Sequence, residues 1–377
     1  MSGTANSDAK APMEQPNEDL SEVMGQLSVN TDSSDENSTP PKNLSDMPVD
    51  VVGLIIGRSG YKEQLVLRKT SKSLRTLVDK QQPACSRLSM SCMSDFIISN
   101  YDDHCVAYVP PNWNSEEFSS HYKNCRLDKI VSLPGYEKVA FDDLAFTLKN
   151  SKLQLECFSF GSEELDDYNG FDYYKEFDKF GYGGDRNWKI RSSEELKKVQ
   201  KILKSLNHKV SGKECRIDVS NSDKAMSILP YLKPGVLEKI KLFYEYDDKG
   251  WRKWCDAMKQ VALLEQWKQA EELELECGFD EEFPAEHATH FKRFQFDENL
   301  LYPGALVLIR DYLMMHKNVE FCSIPTSYLI TDLFGRFDDI VGTAVSPNLY
   351  HYTIPDSEYY LEFMIEDKLV TIEKKKK

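Results

Sequence analysis

The chain has 377 residues, of which 41% are hydrophobic and 11% aromatic, enough apolar side chain for two or three folded units. Its formal net charge of −15 argues against general binding to nucleic acid or to an anionic membrane, both of which need a positive field. The longest apolar runs, such as Ala305–Ile309, fall far short of the ~20 residues that span a bilayer, and no basic leader precedes an apolar stretch, so the chain reads as soluble and intracellular.

Residues 1–42 are polar and mostly acidic, with too few apolar side chains to offset ordering entropy, and read as a disordered tail. Leu20, Val23, Met24 and Leu27 alone have helical spacing within it. The composition changes at Asn43. Asp46 and Pro48 form a helix-start signal, because proline suits a first turn where its missing N–H is not needed. Val51, Val52, Ile55 and Ile56 then make one apolar stripe, ended by Gly57 and Gly60. A second helix is expected over Lys62–Lys69 with Leu65 and Leu67 inward. Ser71 is placed to cap a third, with Leu74, Leu77 and Val78 as its stripe and Pro83 as its stop. So small a helical core over residues 43–83 usually needs a partner surface.

Residues 84–190 read as a linking region of mixed α and β. Leu153, Leu155, Cys157 and Phe158 suggest a strand, and the aromatic, acidic, glycine-rich stretch Asp166–Tyr182 reads as a loop. From about residue 191 to 372 a helical pattern and a short alternating strand recur. The strand cores are Cys215–Val219, Ile240–Tyr244, Leu273–Cys277, Phe294–Asp297 and Val319–Ser323. Helical pieces are Leu196–Leu206, Ala225–Leu232, Met258–Trp267, Ala285–His290 and Leu306–Met315. Helix–strand units at this period suggest an α+β or α/β repeat, a solenoid loosely like leucine-rich repeats, although the usual asparagine after the strand is missing. Tyr359–Ile365 and the residues around Leu369 read as a C-terminal hairpin able to cap the last strand's open edge. Lys374–Lys377 read as a solvated basic end.

The sequence Asn43–Val78 resembles the F-box. Leu44, Met47–Pro48, Asp50, Val51 and Val52 match the opening leucine, Leu-Pro, acidic residue and aliphatic pair of that family. Ile55–Ile56 match a second aliphatic pair, and Leu67–Arg68 match its Leu-Arg. Met47, Asp50 and Thr70–Ser71–Lys72 are mild departures. Lys209–Val219, Met226–Tyr244 and His351–Pro355 look like the FTH domain that follows F-boxes in the nematode F-box A-type family, so the likeness covers about residues 43–372. The resemblance implies a non-catalytic substrate receptor of an SCF-type ubiquitin ligase. Its F-box would bind a Skp-like adaptor on a cullin scaffold, and its second domain a protein target. Adaptor contacts are then expected from Leu44, Met47, Pro48, Val51, Val52, Ile55, Ile56, Leu65, Leu67, Arg68 and Leu74. A surplus of lysine and arginine in this segment suits an acidic partner groove. A free-standing repeat scaffold, with the helical module as its cap, is the other reading.

Catalytic and metal signals are weak. The nine cysteines lie singly with no C-x-x-C pair, and read as buried residues of a reducing compartment. Glu286–His290 lacks the H-E-x-x-H spacing, and Gly57–Gly60 and Gly181–Gly184 do not join a strand to a helix, so no cofactor is expected. If strand residues alternate, Ile217, Leu242, Leu273, Leu275, Phe294, Phe296 and Phe321 point inward. The outward set Arg216, Asp218, Lys241, Glu274, Glu276, Gln295 and Glu320 would then form a mostly acidic strip for a target.

Overall fold

A computed structural model describes residues 44, 47–92, 96–113, 127–161, 187–218, 222–243, 258–276, 285–296, 301, 303–325, 338–366 and 368–377. The expected tail and the Asp166–Tyr182 loop lie outside these residues. The chain divides into two units, Met1–Pro48 and Val49–Lys377. In the first, the Met47 N–H donates to the Leu44 carbonyl at 3.3 Å, closing a single turn.

The second unit opens with three short helices, α1 (Val49–Arg58), α2 (Tyr61–Thr70) and α3 (Lys72–Lys80). Val52 and Ile56, four residues apart on α1, and Leu74 on α3 are buried. Ser71 caps α3 as expected, its hydroxyl accepting the Leu74 N–H at 3.2 Å. On α2 the most buried positions are Tyr61 and Gln64; Leu65, half-buried, packs against the main core as expected, while Leu67 is half-buried and outside it. Gln64 is tolerated inside because its amide is satisfied at both ends. Nε2 donates to the Ile56 carbonyl at 3.0 Å, and Oε1 accepts from the Ala84 N–H at 3.1 Å.

Among the described residues, fourteen strands form a single sheet. They are β1 (Arg87–Cys92), β2 (Ile97–Tyr101), β3 (His104–Val109), β4 (Leu127–Ser132), β5 (Gln154–Gly161), β6 (Ser211–Asp218), β7 (Lys239–Phe243), β8 (Glu272–Glu276), β9 (Arg293–Phe296), β10 (Phe321–Pro325), β11 (Thr343–Ser346), β12 (Leu349–Thr353), β13 (Tyr359–Glu366) and β14 (Leu369–Lys376). The spatial order is β11-β12-β13-β14-β10-β9-β8-β7-β6-β5-β1-β2-β3-β4. From β5 to β10 every neighbour is parallel and in chain order.

Parallel neighbours need crossovers. These contain α5 (Asn187–Ser205) before β6, α6 (Ser222–Ile228) before β7, α7 (Glu265–Gln269) before β8, a 3-10 turn at Ala285–His287 before β9, and α8 (Pro303–Met315) before β10. α4 (Tyr136–Leu148) plays the same part before β5, and α9 (Asp338–Val341) precedes β11. The helix–strand alternation read from the sequence is therefore present, but not as a separate array. β6 pairs with β5 of the linking region, and β10 pairs antiparallel with β14 of the terminal hairpin, which covers its edge.

The larger of two cores among the described residues joins the helices to one face of the sheet, and a smaller one of Phe96, Ile98, Ala107 and Val109 lies on the other face of β2 and β3. Cys215, Ile240, Leu273, Phe294, Cys322, Ile372 and Phe363 are cross-strand neighbours, and all are buried against residues such as Val199, Ile228, Trp267 and Ile309. Fully burying each such aliphatic side chain stabilises by about 1.5–3 kcal/mol. Trp267 lies fully inside and donates its indole N–H to the His287 carbonyl at 2.8 Å. The sequence placed Phe321 inward. It is instead half-buried on the opposite face, with the Arg293 guanidinium 4.4 Å from its ring centroid, and Cys322 and Ile324 occupy the core. The closing lysines are also less free than expected. Lys374 donates to the His316 carbonyl at 2.8 Å, and Lys375 pairs with Glu362 and Glu373.

Candidate functional site

Two surfaces were singled out from the sequence, and the structure treats them differently. On the helical module Val52, Ile56 and Leu74 form the interior. Val51, Ile55, Leu65 and Leu67 are half-buried, as are Leu44 and Met47 in the preceding unit, and Pro48 is exposed. Arg68 is held within the chain: its Nε donates to Asp79 at 2.7 Å, and its guanidinium sits 4.0 Å from the centre of the Phe146 ring. Three apolar side chains that sequence periodicity did not select are open to solvent, Val49 at 64%, Leu54 at 65% and Val66 at 57%. Leu54 and Val66 fall outside the buried stripe of their helices, an apolar residue at a polar phase, whereas Val49 shares the phase of Val52 and Ile56 and is exposed at the first position of α1.

On the sheet's outward face, register assembles a polar row. Ser159, Arg216, Lys241, Glu274, Gln295 and Ser323 are successive cross-strand neighbours. Arg216, Lys241, Glu274 and Gln295 are thus brought together. Asp218 and Glu276 belong to the next row, on either side of Phe243, and their side chains lie outside the described set. Glu320 precedes β10 and is exposed, its N–H donating to the Lys292 carbonyl at 2.8 Å.

The row is not the acidic strip anticipated from the sequence. Glu274 is only 5% exposed and accepts ion pairs from Lys239 and Lys241, both at 2.7 Å. Burial raises its pKa, but the two ammonium groups more than offset this and hold the carboxyl below its ordinary range. Gln295 donates to the same carboxylate at 3.1 Å. Arg216 pairs with Glu214 at 2.7 Å, and Arg293 with Glu272 at 3.2 Å. Opposite charges meet across the strands, in the row Glu214, Lys239, Glu272 and Arg293 and at Lys241 and Glu274, so the face carries its own counter-ions.

No cluster of His, Cys, Asp and Glu able to hold a metal occurs among the described residues. Of Glu286–His290, Glu286 is exposed, and the His290 ring is hydrogen bonded to the Trp267 carbonyl at 2.8 Å. Cys85, Cys215 and Cys322 are buried, which pushes each thiol well above its ordinary pKa and away from the reactive thiolate. No helix among the described residues is long and apolar enough to cross a membrane.

Comparison with known families resolves the helical module. Residues 44–86 match the F-box domain, and residues 193–337 match the FTH domain. The chain joins an F-box to an FTH domain. The F-box match contains α1–α3, and the FTH match contains β6–β10 with their crossovers; β1–β5 and β11–β14 lie outside both. The chain is homologous to F-box A protein 224 of Caenorhabditis elegans, with 26% identity over 299 residues, 75% of this chain and 66% of that relative. It therefore spans slightly less than two thirds of that relative's length. No solved structure matches.

Proposed function

We propose that this chain is a substrate-receptor subunit of an SCF-type ubiquitin ligase. The observation that carries the proposal is the F-box match over residues 44–86, on a three-helix module that closes its own core yet leaves Val49, Leu54 and Val66 exposed. Exposed apolar side chains on so small a module suit a partner surface. In this reading Leu44, Met47, Pro48, Val51 and Ile55, joined by Val49, Leu54 and Val66, meet a Skp-like adaptor on a cullin scaffold. Val52, Ile56 and Leu74 shape that surface from within, while Leu67 borders it.

The sheet domain would hold a protein target. Its parallel strands in chain order, with helices on one face, support the repeat-like reading, and the outward row through Arg216, Lys241, Glu274 and Gln295 is the proposed contact face. Asp218, Glu276 and Glu320 would flank it. The contribution is proximity, raising the effective concentration of target lysines near a charged ubiquitin carrier, with no catalysis by this chain. Such a role places it in the cytoplasm or nucleus.

Copurification tests the proposal. The full chain should capture a Skp-like adaptor and a cullin, and Leu44→Ala with Pro48→Ala should remove that capture. Losing two apolar anchors is expected to cost about 2–4 kcal/mol, on the order of 30–1,000-fold in affinity. A chain that recovers neither protein, or a double variant that recovers both undiminished, overturns it.

A further inference from the structure

A receptor that works by proximity needs a fixed direction between its adaptor-binding and target-binding ends, and the join between them is built from α2. Residues 81–86 connect α3 to β1, a short link that would by itself leave the helical module free to swing. Tyr61, the first residue of α2, is buried in the same core as the sheet and α4. Its ring stacks on that of Tyr101 in β2, with centroids 5.2 Å apart and planes 22° apart. Its hydroxyl lies 2.6 Å from Thr147 Oγ1 on α4. Thr147 already donates to the Asp143 carbonyl at 2.9 Å, so its oxygen accepts the proton of Tyr61.

Three further contacts flank this buried pin. Lys62 reaches Asp128 of β4 at 3.4 Å, Arg68 covers Phe146 of α4, and Gln64 bonds both to α1 and to Ala84 in the connection. The flanking ion pair is half-exposed and worth little, whereas the tyrosine is desolvated and stacked, so the pin dominates. We infer that Tyr61 is a positioning residue: it locks the helical module onto the sheet and so fixes where the target side of the chain points relative to the adaptor side. The inference rests on the ligase reading for its purpose, but its geometry stands apart from it. It also divides α2 into two faces, with Tyr61, Gln64 and Arg68 turned to the chain's own helices and sheet and Val66 left to a partner.

Spin labels introduced through non-canonical amino acids at the exposed positions Lys72 and Lys317 of the full chain measure the lock directly. The wild-type chain should give one narrow distance distribution. Tyr61→Phe, which keeps the stack, should retain it. Tyr61→Leu, which loses both stack and hydroxyl, should broaden it about twofold or more, as expected for domains joined by a short linker alone. Adaptor capture by these same variants should be unchanged. In a reconstituted ligase, the lysines of the chain that receive ubiquitin should become less selective in Tyr61→Leu and stay wild-type in Tyr61→Phe. If Tyr61→Leu leaves the distribution superimposable on wild type, the lock is not this residue; equal broadening by Tyr61→Phe assigns the lock to the Tyr61 hydroxyl bond rather than to the stack. Should Tyr61→Leu fail to fold, Thr147→Val with Tyr101→Leu removes the same two contacts from the other side, and an unchanged distribution there overturns the inference. A wild-type chain that captures no adaptor defeats the ligase reading and leaves the distance measurement intact.

Discussion

Lys241 and Glu274 face each other in register across β7 and β8, with Nζ 2.7 Å from Oε1, and that carboxylate is almost fully shielded from water. A buried acid between two lysines is held by them, and its loss leaves two like charges facing each other. Glu274→Lys should destabilise the fold by about 3–5 kcal/mol, measured by chemical denaturation, rather than act as a silent surface reversal. Glu274→Gln should cost less, since the amide still accepts a hydrogen bond.

The same site sets an acid-side dependence. The carboxyl of Glu274 lies below its ordinary value of 4.5 when folded, so the folded state binds fewer protons there than the unfolded state. Its contribution is complete above that ordinary value and is lost as pH falls through the lower, folded one. The stability difference between wild type and Glu274→Gln should therefore be constant near neutral pH and shrink on acidification. A difference that grows as pH falls would contradict the assigned pairing.

Much of this architecture was legible in the sequence, and the exceptions have a physical cause. Alternation in β6–β9 is strict, so the sequence puts Ile217, Leu242, Leu273, Leu275, Phe294 and Phe296 on the correct face, where Cys215 and Ile240 also lie. In β10 the phase was misread. Val319 and Phe321 look like two inward positions, yet Val319 is buried in the turn before the strand, where its N–H donates to the His316 carbonyl at 3.3 Å. The strand proper runs Phe321–Pro325, and a one-residue shift of phase moves Phe321 to the outer face. Glu320 lost its place in the row for the same reason. The charge balance around Glu274 was hidden because Lys239 and Lys241 belong to a strand more than thirty residues earlier in the chain, and only register brings them together. Tyr61 gave no local sign of its role, its partner Thr147 being 86 residues away.

Gly342 between α9 and β11 is fixed by its backbone. Its φ is +88°, and a Cβ there would lie 2.3 Å from the His351 carbonyl oxygen and 2.7 Å from the Tyr352 Cα. Neither backbone atom can move without breaking the β11–β12 pairing of Thr343 with His351. Gly342→Ala should cost about 2–4 kcal/mol, combining a left-handed conformation with a backbone clash. The loss should concentrate in the terminal strands, seen as faster amide exchange in β11 and β12 than in β6–β9.

The two classes of apolar residue in the helical module should separate folding from the proposed adaptor binding. Ile56 is fully buried, and Leu54, two positions earlier on α1, is 65% exposed. Removing the Ile56 side chain leaves a cavity in a small core, so Ile56→Ala should cost about 2–5 kcal/mol in stability and weaken adaptor capture only through unfolding. Leu54→Ala removes little intramolecular packing and should shift stability by no more than about 0.5 kcal/mol. If Leu54 lies at the adaptor surface, the same change should weaken capture about tenfold or more, as one apolar anchor lost from an interface does. Melting curves and capture assays on the two variants therefore give opposite patterns. Equal capture by Leu54→Ala and wild type would remove Leu54 from the proposed surface, and a large drop in its melting temperature would show that the side chain is needed for folding instead.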